Sequence, residues 1–360
     1  MEQEFKFPIV AFGSNTNLDD LDHYALSHGY PTGCLRFSRL VSAPDYKLAF
    51  TKYSKGRGGG VLDLLHSIGH VTTVALFYAN EAGLELLKQK EGVPRHYIEK
   101  QITVIEAGGG ETQALTYVVS PNKRERFVRP SEDYLNICKE GFERLGIDTS
   151  ELEAAAGDKT IEPLTALYAY GTLMREEPRF PTIATYGLQC ALTAFCFGTL
   201  TTNGLYPALN LEGDGFSRGD YLVSEDIANL LPVTDQVEGF EGFGSKQNLF
   251  RRTCVSVDVG GSGQRLAWVY VKSEEFDTKL IQNDWRAFQG TRHAFSEALL
   301  NAHSIDSQRF YEDLTQNYAR FSQIKTLDHD QVISLLNQEM GLTERTMAQV
   351  SNNWLALTKV

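Results

Sequence analysis

Cysteine is scarce in this sequence, and the few it has are poorly placed for chemistry. Cys34, Cys138, Cys190, Cys196 and Cys254 are odd in number, far apart and free of any CxxC pair. That spacing argues against a disulfide framework and against a thiolate zinc site, and it fits reduced thiols in a cytosol. Long apolar runs are missing as well. None approaches the roughly 18 residues that a membrane-spanning helix needs, and the N-terminus MEQEFKFP is acidic where a secretory leader would be basic. Positive charge is in deficit: 34 Lys and Arg face 46 Asp and Glu, a net charge of -12. Phosphate binding needs a positive surface, so this balance argues against nucleic acid and anionic membranes as partners. The expectation is a cytoplasmic protein with neither partner; composition leaves the oligomeric state open.

What is present is ordinary for a folded chain, with 42% hydrophobic and 22% charged residues. At 360 residues the chain is too long for one typical core, which makes two domains the natural expectation. An internal repeat supports that division. The run VAFGSN (Val10 to Asn15) drives an apolar strand into Gly-Ser-Asn, and LYAYGTL (Leu167 to Leu173) does the same into Gly-Thr. Behind the first come VTTVALFYA (71–79), rich in β-branched and aromatic residues, and a short helix ending at Gly92. Two strand-like runs around Gly108, Gly109 and Gly110 then read as a hairpin, and a helix from about Glu132 to Leu145 closes the unit. The second copy repeats the order, with a helix ending at Gly239 and a glycine-turn hairpin in CVSVDVGGSGQRLAWVYV. Matching landmarks keep similar offsets: 158 positions from Gly13 to Gly171, 147 from Glu91 to Glu238, and 153 from Tyr117 to Tyr270. The stretch AAAGDKTIEP (154–163) is small, polar and proline-terminated, as a linker should be.

After about Asp284 the pattern turns helical. GLTERTMAQ there is similar to the turn and second helix of a DNA-binding helix-turn-helix. Seven Lys and Arg against nine Asp and Glu after Leu280 supply no basic face, so packed amphipathic helices are the better reading.

The ordered landmarks resemble the gamma-glutamylcyclotransferase superfamily, whose mark is a strand ending in Tyr-Gly-Ser-Asn or Tyr-Gly-Thr-Leu followed downstream by Glu-Gly at a helix end. The first copy has Phe12-Gly13-Ser14-Asn15, then GGGVLDL (58–64), Glu91-Gly92 and Tyr97. The second has Tyr170-Gly171-Thr172-Leu173, then LYPAL (205–209) with Tyr206, Glu238-Gly239, LFRR (249–252) and AWVYV (267–271), as in the gamma-glutamylamine cyclotransferase and avirulence-induced branch. The resemblance implies an α+β chain: two mixed, largely antiparallel β-barrel domains with flanking helices, at 1–155 and 164–280, a linker at 156–163, and a helical extension over 281–360. It also implies release of 5-oxoproline and a free amine from a small gamma-glutamyl substrate. The α-amine attacks its own γ-carbonyl, so the enzyme mainly has to fold the substrate into an attack conformer. Glu91 and Glu238 would move the proton, and a dry pocket that raises a carboxyl pKa toward neutrality would help them. Phe12, Gly13, Ser14, Asn15 and Tyr97, with Tyr170, Gly171, Thr172, Leu173 and Tyr206, would bind the glutamyl group. No metal, nucleotide cofactor or covalent nucleophile is required.

Three points stand beside that reading. Phe12 occupies a place where the family usually has tyrosine, VEGFEGFG offers Glu241 as a neighbouring register, and Tyr97 and Tyr206 also suit a core. Elsewhere, GRGGG (56–60) lacks the lysine and Ser/Thr spacing of a phosphate loop and reads as a mobile loop. His66 and His70 lie four apart without HExxH, so a metal is not expected. The competing class is a non-catalytic binding or regulatory protein that keeps the pockets with one or both sites degenerate; glutamates that both point to solvent would defeat the catalytic reading.

Overall fold

The computed structural model describes residues 4–202, 206–260, 262–272, 276, 278–280 and 283–288. The first domain contains β1 (Phe7–Ala11), α1 (Leu18–Ser27), β2 (Leu35–Ser54), β3 (Gly59–Ala79), α2 (Glu81–Glu91), β4 (Tyr97–Ile105), β5 (Glu111–Val119), α3 (Glu132–Leu145) and α4 (Ser150–Ala156). The second contains β6 (Ala166–Ala169), α5 (Phe180–Ile183), β7 (Leu188–Phe197), β8 (Thr199–Thr202), β9 (Pro207–Asn210), β10 (Phe216–Ser224), α6 (Ile227–Glu238), β11 (Arg251–Val259), β12 (Gly263–Val271) and β13 (Thr278–Lys279).

Each domain is a closed five-stranded barrel, in the order β1-β3-β2-β4-β5 and, correspondingly, β6-β10-β7-β11-β12. All neighbours run antiparallel except the closing pair, which is parallel in both: Ile9 opposite Leu115, and Leu167 opposite Trp268. Ile9 and Leu167 each lie four residues before the loop glycine, so the repeat read from sequence is a repeat of topology. Each barrel has its own apolar core, around Phe50, Leu64 and Phe77 in the first and Tyr168, Trp268 and Leu230 in the second. The second domain also carries a small sheet, β13-β8-β9, in which β8 and β9 are inserted between β7 and β10 and β13 follows β12.

The run 71–79 is only the end of a 21-residue strand whose partner, β2, is 20 residues long. Their pairing slips at Phe37/Arg39, Pro44/Tyr46 and Phe50/Lys52. Each bulge bends and twists the ribbon, which lets one hairpin curl around much of a barrel. The reading of 56–60 as a mobile loop holds as a turn at 56–58 and is corrected for its last two glycines. Gly59 and Gly60 are buried and open β3, and a side chain at Gly60 would strike the backbone of Val128, which runs alongside. The expected helices stand: Asn80 and Ser131 cap α2 and α3, and Gly92, Gly146 and Gly239 close α2, α3 and α6 in the left-handed conformation that glycine adopts without a Cβ penalty.

Residues 283–288 pack on the second barrel. Trp285 is fully buried, and Arg286 reaches the buried Asp220 at 2.9 Å. The second core therefore draws on chain beyond Leu280. The remainder of the expected helical extension, including GLTERTMAQ, lies outside the described residues. Among the described residues no helix is long and apolar enough to cross a membrane.

Candidate active site

In both domains the first barrel strand delivers a glycine loop, and the C-terminal end of the same helix in the repeat brings a glutamate to it. Glu91 and Glu238 are the last residues of α2 and α6, each followed by a left-handed glycine, with φ of 63° at Gly92 and 62° at Gly239. That conformation turns the chain sharply away and leaves the glutamate at the partially negative end of a helix, where an anion is disfavoured.

In the first domain, Gly13 leads into a 3₁₀ turn at Ser14–Thr16. Thr16 holds the turn by donating to the Gly13 carbonyl from both its amide (2.9 Å) and its hydroxyl (2.7 Å). Asn15 then donates its side-chain amide to Glu91 Oε1 at 2.8 Å. Lys90, almost wholly buried, donates to Asn15 Oδ1 at 2.8 Å and pairs with Asp20 at 3.0 Å. Arg57 forms a two-pronged pair with the same Asp20, at 3.0 and 2.7 Å. Because Lys90 only donates, it fixes the Asn15 amide with its NH₂ toward Glu91. Burial raises the Glu91 carboxyl pKa, opposed by the Lys90 charge, the Asn15 bond, and the Arg57 and Lys52 charges. Tyr97 is buried within electrostatic reach of Glu91 and its hydroxyl donates to the Leu62 carbonyl at 3.1 Å, while Tyr134 Oη sits beside Gly13.

In the second domain, Tyr170, Gly171, Thr172 and Leu173 line a cavity together with Glu238, Arg179, Tyr206 and Phe250. Gly171 lies against Pro207, whose ring would be 2.6 Å from a Cβ at that position, so the loop and the Tyr206-Pro207 segment close on each other only because residue 171 has no side chain. The ring of Tyr206 packs on Phe250 and Phe276. Arg179 is tied to the loop by its amide, which donates to the Thr172 carbonyl at 3.0 Å. Burial pushes the Glu238 carboxyl up to about 7, with the Arg179 charge opposing. The register is Glu238 rather than Glu241, since Glu238 closes the helix and lines the cavity.

The shifted pKa has a consequence for stability. Between the ordinary carboxylate range near 4.3 and about 7, the folded chain holds more proton on Glu238 than the unfolded chain does, so this group's contribution falls as pH rises through that window. Glu238→Gln removes the charge. It is expected to raise the unfolding free energy at pH 8 by up to about 4 kcal/mol, at roughly 1.4 kcal/mol per pKa unit, and the thermal midpoint with it, and to leave both nearly unchanged at pH 4. Paired melts at the two pH values check this.

Phe12 and Tyr170 occupy equivalent places, and the structure shows what the hydroxyl does where it exists. Tyr170 donates to the Tyr270 carbonyl at 2.7 Å, inside the barrel wall. That hydroxyl also lies close enough to Glu238 to feel its charge, whereas Phe12 supplies a buried ring without it. Tyr170→Phe is expected to lower stability by about 1 kcal/mol through the unmet Tyr270 carbonyl, which denaturant melts test.

Lys90, Asp20, Arg57 and Arg179 carry no motif, although Lys90 adjoins Glu91 and Arg57 lies in the glycine run. His66 and His70 do not form a site: His66 stands edge-on to Tyr46, and His70 Nε2 lies 2.8 Å from the Ile161 carbonyl. Among the described residues no three His, Cys, Asp or Glu side chains gather as a metal-binding group.

Both barrels thus set a glycine loop near a glutamate at a helix end. Residues 167–287 match the family model for gamma-glutamyl cyclotransferase, AIG2-like, and residues 71–151 match that of the AIG2-like family. The chain belongs to the gamma-glutamylcyclotransferase superfamily and carries two of its domains in tandem. No curated protein matches it in sequence. Among solved structures, a gamma-glutamyl cyclotransferase is 25% identical over 44% of this chain and 88% of its own, with a TM-score of 0.35. An uncharacterized protein from Homo sapiens is also 25% identical, over 44% and 90%, with a TM-score of 0.36. YkqA from Bacillus subtilis is 14% identical over 75% of this chain and 84% of its own, with a TM-score of 0.28.

Proposed function

We propose that this protein is a cyclotransferase that converts small gamma-glutamyl compounds into 5-oxoproline and a free amine. The observation that carries the reading is the twofold one: Glu91 bonded to the loop residue Asn15, and Glu238 lining a cavity with the loop residues 170–173, at equivalent places in two barrels. Neither glutamate points to open solvent, which meets the condition that the catalytic reading sets.

The chemistry asks little beyond positioning and one proton carrier. The substrate's α-amine attacks its own γ-carbonyl, a C–N bond forms within a five-membered ring, and the γ-amide C–N bond breaks. The proton leaving the α-nitrogen must reach the departing nitrogen. A carboxylate with a pKa near neutrality is matched to both halves of that transfer, and Glu238 at about 7 has that property. The loops at 13–15 and 171–173 would hold the glutamyl α-carboxylate and the developing oxyanion through main-chain N–H groups and the Ser14, Asn15 and Thr172 side chains. Tyr97 and Tyr206 would shape the two pockets. None of these steps calls on a cofactor.

The two sites differ in their surroundings. Glu91 sits among Lys52, Arg57 and Lys90, whereas among the described residues the charge opposing burial at Glu238 comes from Arg179. The deciding experiment is 5-oxoproline release from a panel of gamma-glutamyl amino acids and amines, with wild type, Glu91→Gln, Glu238→Gln and the double variant. Release lost with one substitution assigns the working domain. No release from any compound by folded wild type sinks the reading.

A further inference from the structure

We propose that the first domain holds the second domain's glutamate in place through a buried clamp, in which Asp45 and Arg252 act as positioning residues. The proposal rests on the reading of Glu238 as the second site's proton carrier.

Glu238 ends α6, and the chain must then leave the helix along a loop to β11. The left-handed Gly239 turn is held locally, with the Phe240 amide donating to the Asp235 carbonyl at 2.8 Å and the Phe250 amide donating to the Glu238 carbonyl at 3.2 Å; a side-chain hold from β11 is added to it. Arg252 on β11 grips both sides of it. Its side chain is only 3% exposed. Its Nε lies 3.5 Å from Oδ1 of Asp235, three residues before Glu238. Its guanidinium carbon is 5.1 Å from the Phe240 ring, two residues after Glu238, and 5.0 Å from Phe243. Trp268 stacks on it from the barrel wall at 4.9 Å. Asp235 accepts the Tyr270 hydroxyl at 2.6 Å, and the Tyr270 carbonyl accepts the Tyr170 hydroxyl, so the same set of bonds continues to the residue before Gly171.

The closest partner of Arg252 comes from the other domain. Its Nη2 is bonded to Asp45 Oδ2. Asp45 sits at the β2 bulge between Pro44 and Tyr46, with φ of 58°, and its second oxygen accepts the Gly69 amide at 2.8 Å. A non-glycine residue in that conformation is held there by its surroundings, which makes Asp45 a rigid anchor. Arg252 Nε and Nη1 have no hydrogen-bond acceptor, so this buried cation relies on two carboxylates and three rings. The loop after Glu238 leans on the first domain elsewhere as well: the Gly244 amide donates to Glu111 at 3.1 Å, and Arg251 donates to the Gly109 carbonyl at 3.2 Å. One wall of the second site is thus set by the first barrel.

The test uses the full chain with Asp45→Asn and with the charge-free pair Asp45→Leu/Arg252→Met, which leaves no lone buried ion. Amide hydrogen exchange is read at residues 235–250 and across the first barrel. Turnover of gamma-glutamyl-ε-lysine and gamma-glutamyl-alanine is read in a Glu91→Gln background for the second site and a Glu238→Gln background for the first. The clamp predicts at least tenfold faster exchange confined to 235–250. It also predicts at least a tenfold fall in second-site kcat, with KM changed less, and first-site turnover within twofold of its parent. Unchanged protection at 235–250 in the folded paired variant overturns it. So does equal loss at both sites, or loss of protection throughout the first barrel in both variants, since each marks a merely structural pair. If the wild type releases no 5-oxoproline, the functional reading fails while the exchange data still decide the clamp.

Discussion

Glu238→Gln is expected to lower 5-oxoproline release by the second domain by about 10²- to 10⁴-fold, the range typical of losing a positioned proton carrier. The measurement belongs in a Glu91→Gln background, so that only the second site reports. The pH profile is the sharper half of the prediction. Burial places the Glu238 carboxyl at about 7, and the first proton transfer needs the ionised form. The second-site rate should therefore climb about tenfold per pH unit below that value and level off above it. The glutamine variant should lose this limb. A profile that is flat from pH 5 to 8 in the presence of Glu238 would mean that another group carries the proton. The mirror experiment on Glu91 has the same logic, with Asn15, Lys90, Arg57 and Lys52 pulling against burial.

The second large effect concerns a glycine far from either glutamate in sequence. Gly141→Ala in α3 is expected to destabilise the first barrel by about 1–3 kcal/mol and to abolish first-site turnover, leaving the second site active. Propensity alone predicts the opposite sign, because alanine is better than glycine in a helix interior by about 1 kcal/mol. Packing reverses it. A Cβ at Gly141 would collide with the buried Thr16 hydroxyl and lie 2.7 Å from the Asn17 amide. Thr16 is the residue that closes the 3₁₀ turn on Gly13, so displacing it moves Asn15 away from Glu91. Chemical denaturation and site-resolved kinetics on the one variant test both halves. A stabilised, fully active protein would show that α3 can slide.

Much of the frame was legible because its signals are local. A glycine that must turn left-handed after a helix is visible as Glu91-Gly92 or Glu238-Gly239, and a hairpin shows as two β-rich runs around glycines. The long β2 was not legible. Its bulges interrupt the period-two pattern, and Pro44 falls inside it. The glycine run at 56–60 misled for a related reason. Gly60 answers to the close approach of Val128, a neighbour far along the chain that only the tertiary fold supplies.

The sequence by itself determined the repeat, the helices that present Glu91 and Glu238, and the glycine loops opposite them, because each depends on residues within a few positions of one another. Only the tertiary structure decided which charges meet those glutamates. Lys90 and Asp20 are 70 positions apart, and Asp45 and Arg252 are 207 apart. Such pairs form because closing each barrel, and setting one barrel against the other, brings distant strands and helices together where burial makes an unpaired charge costly.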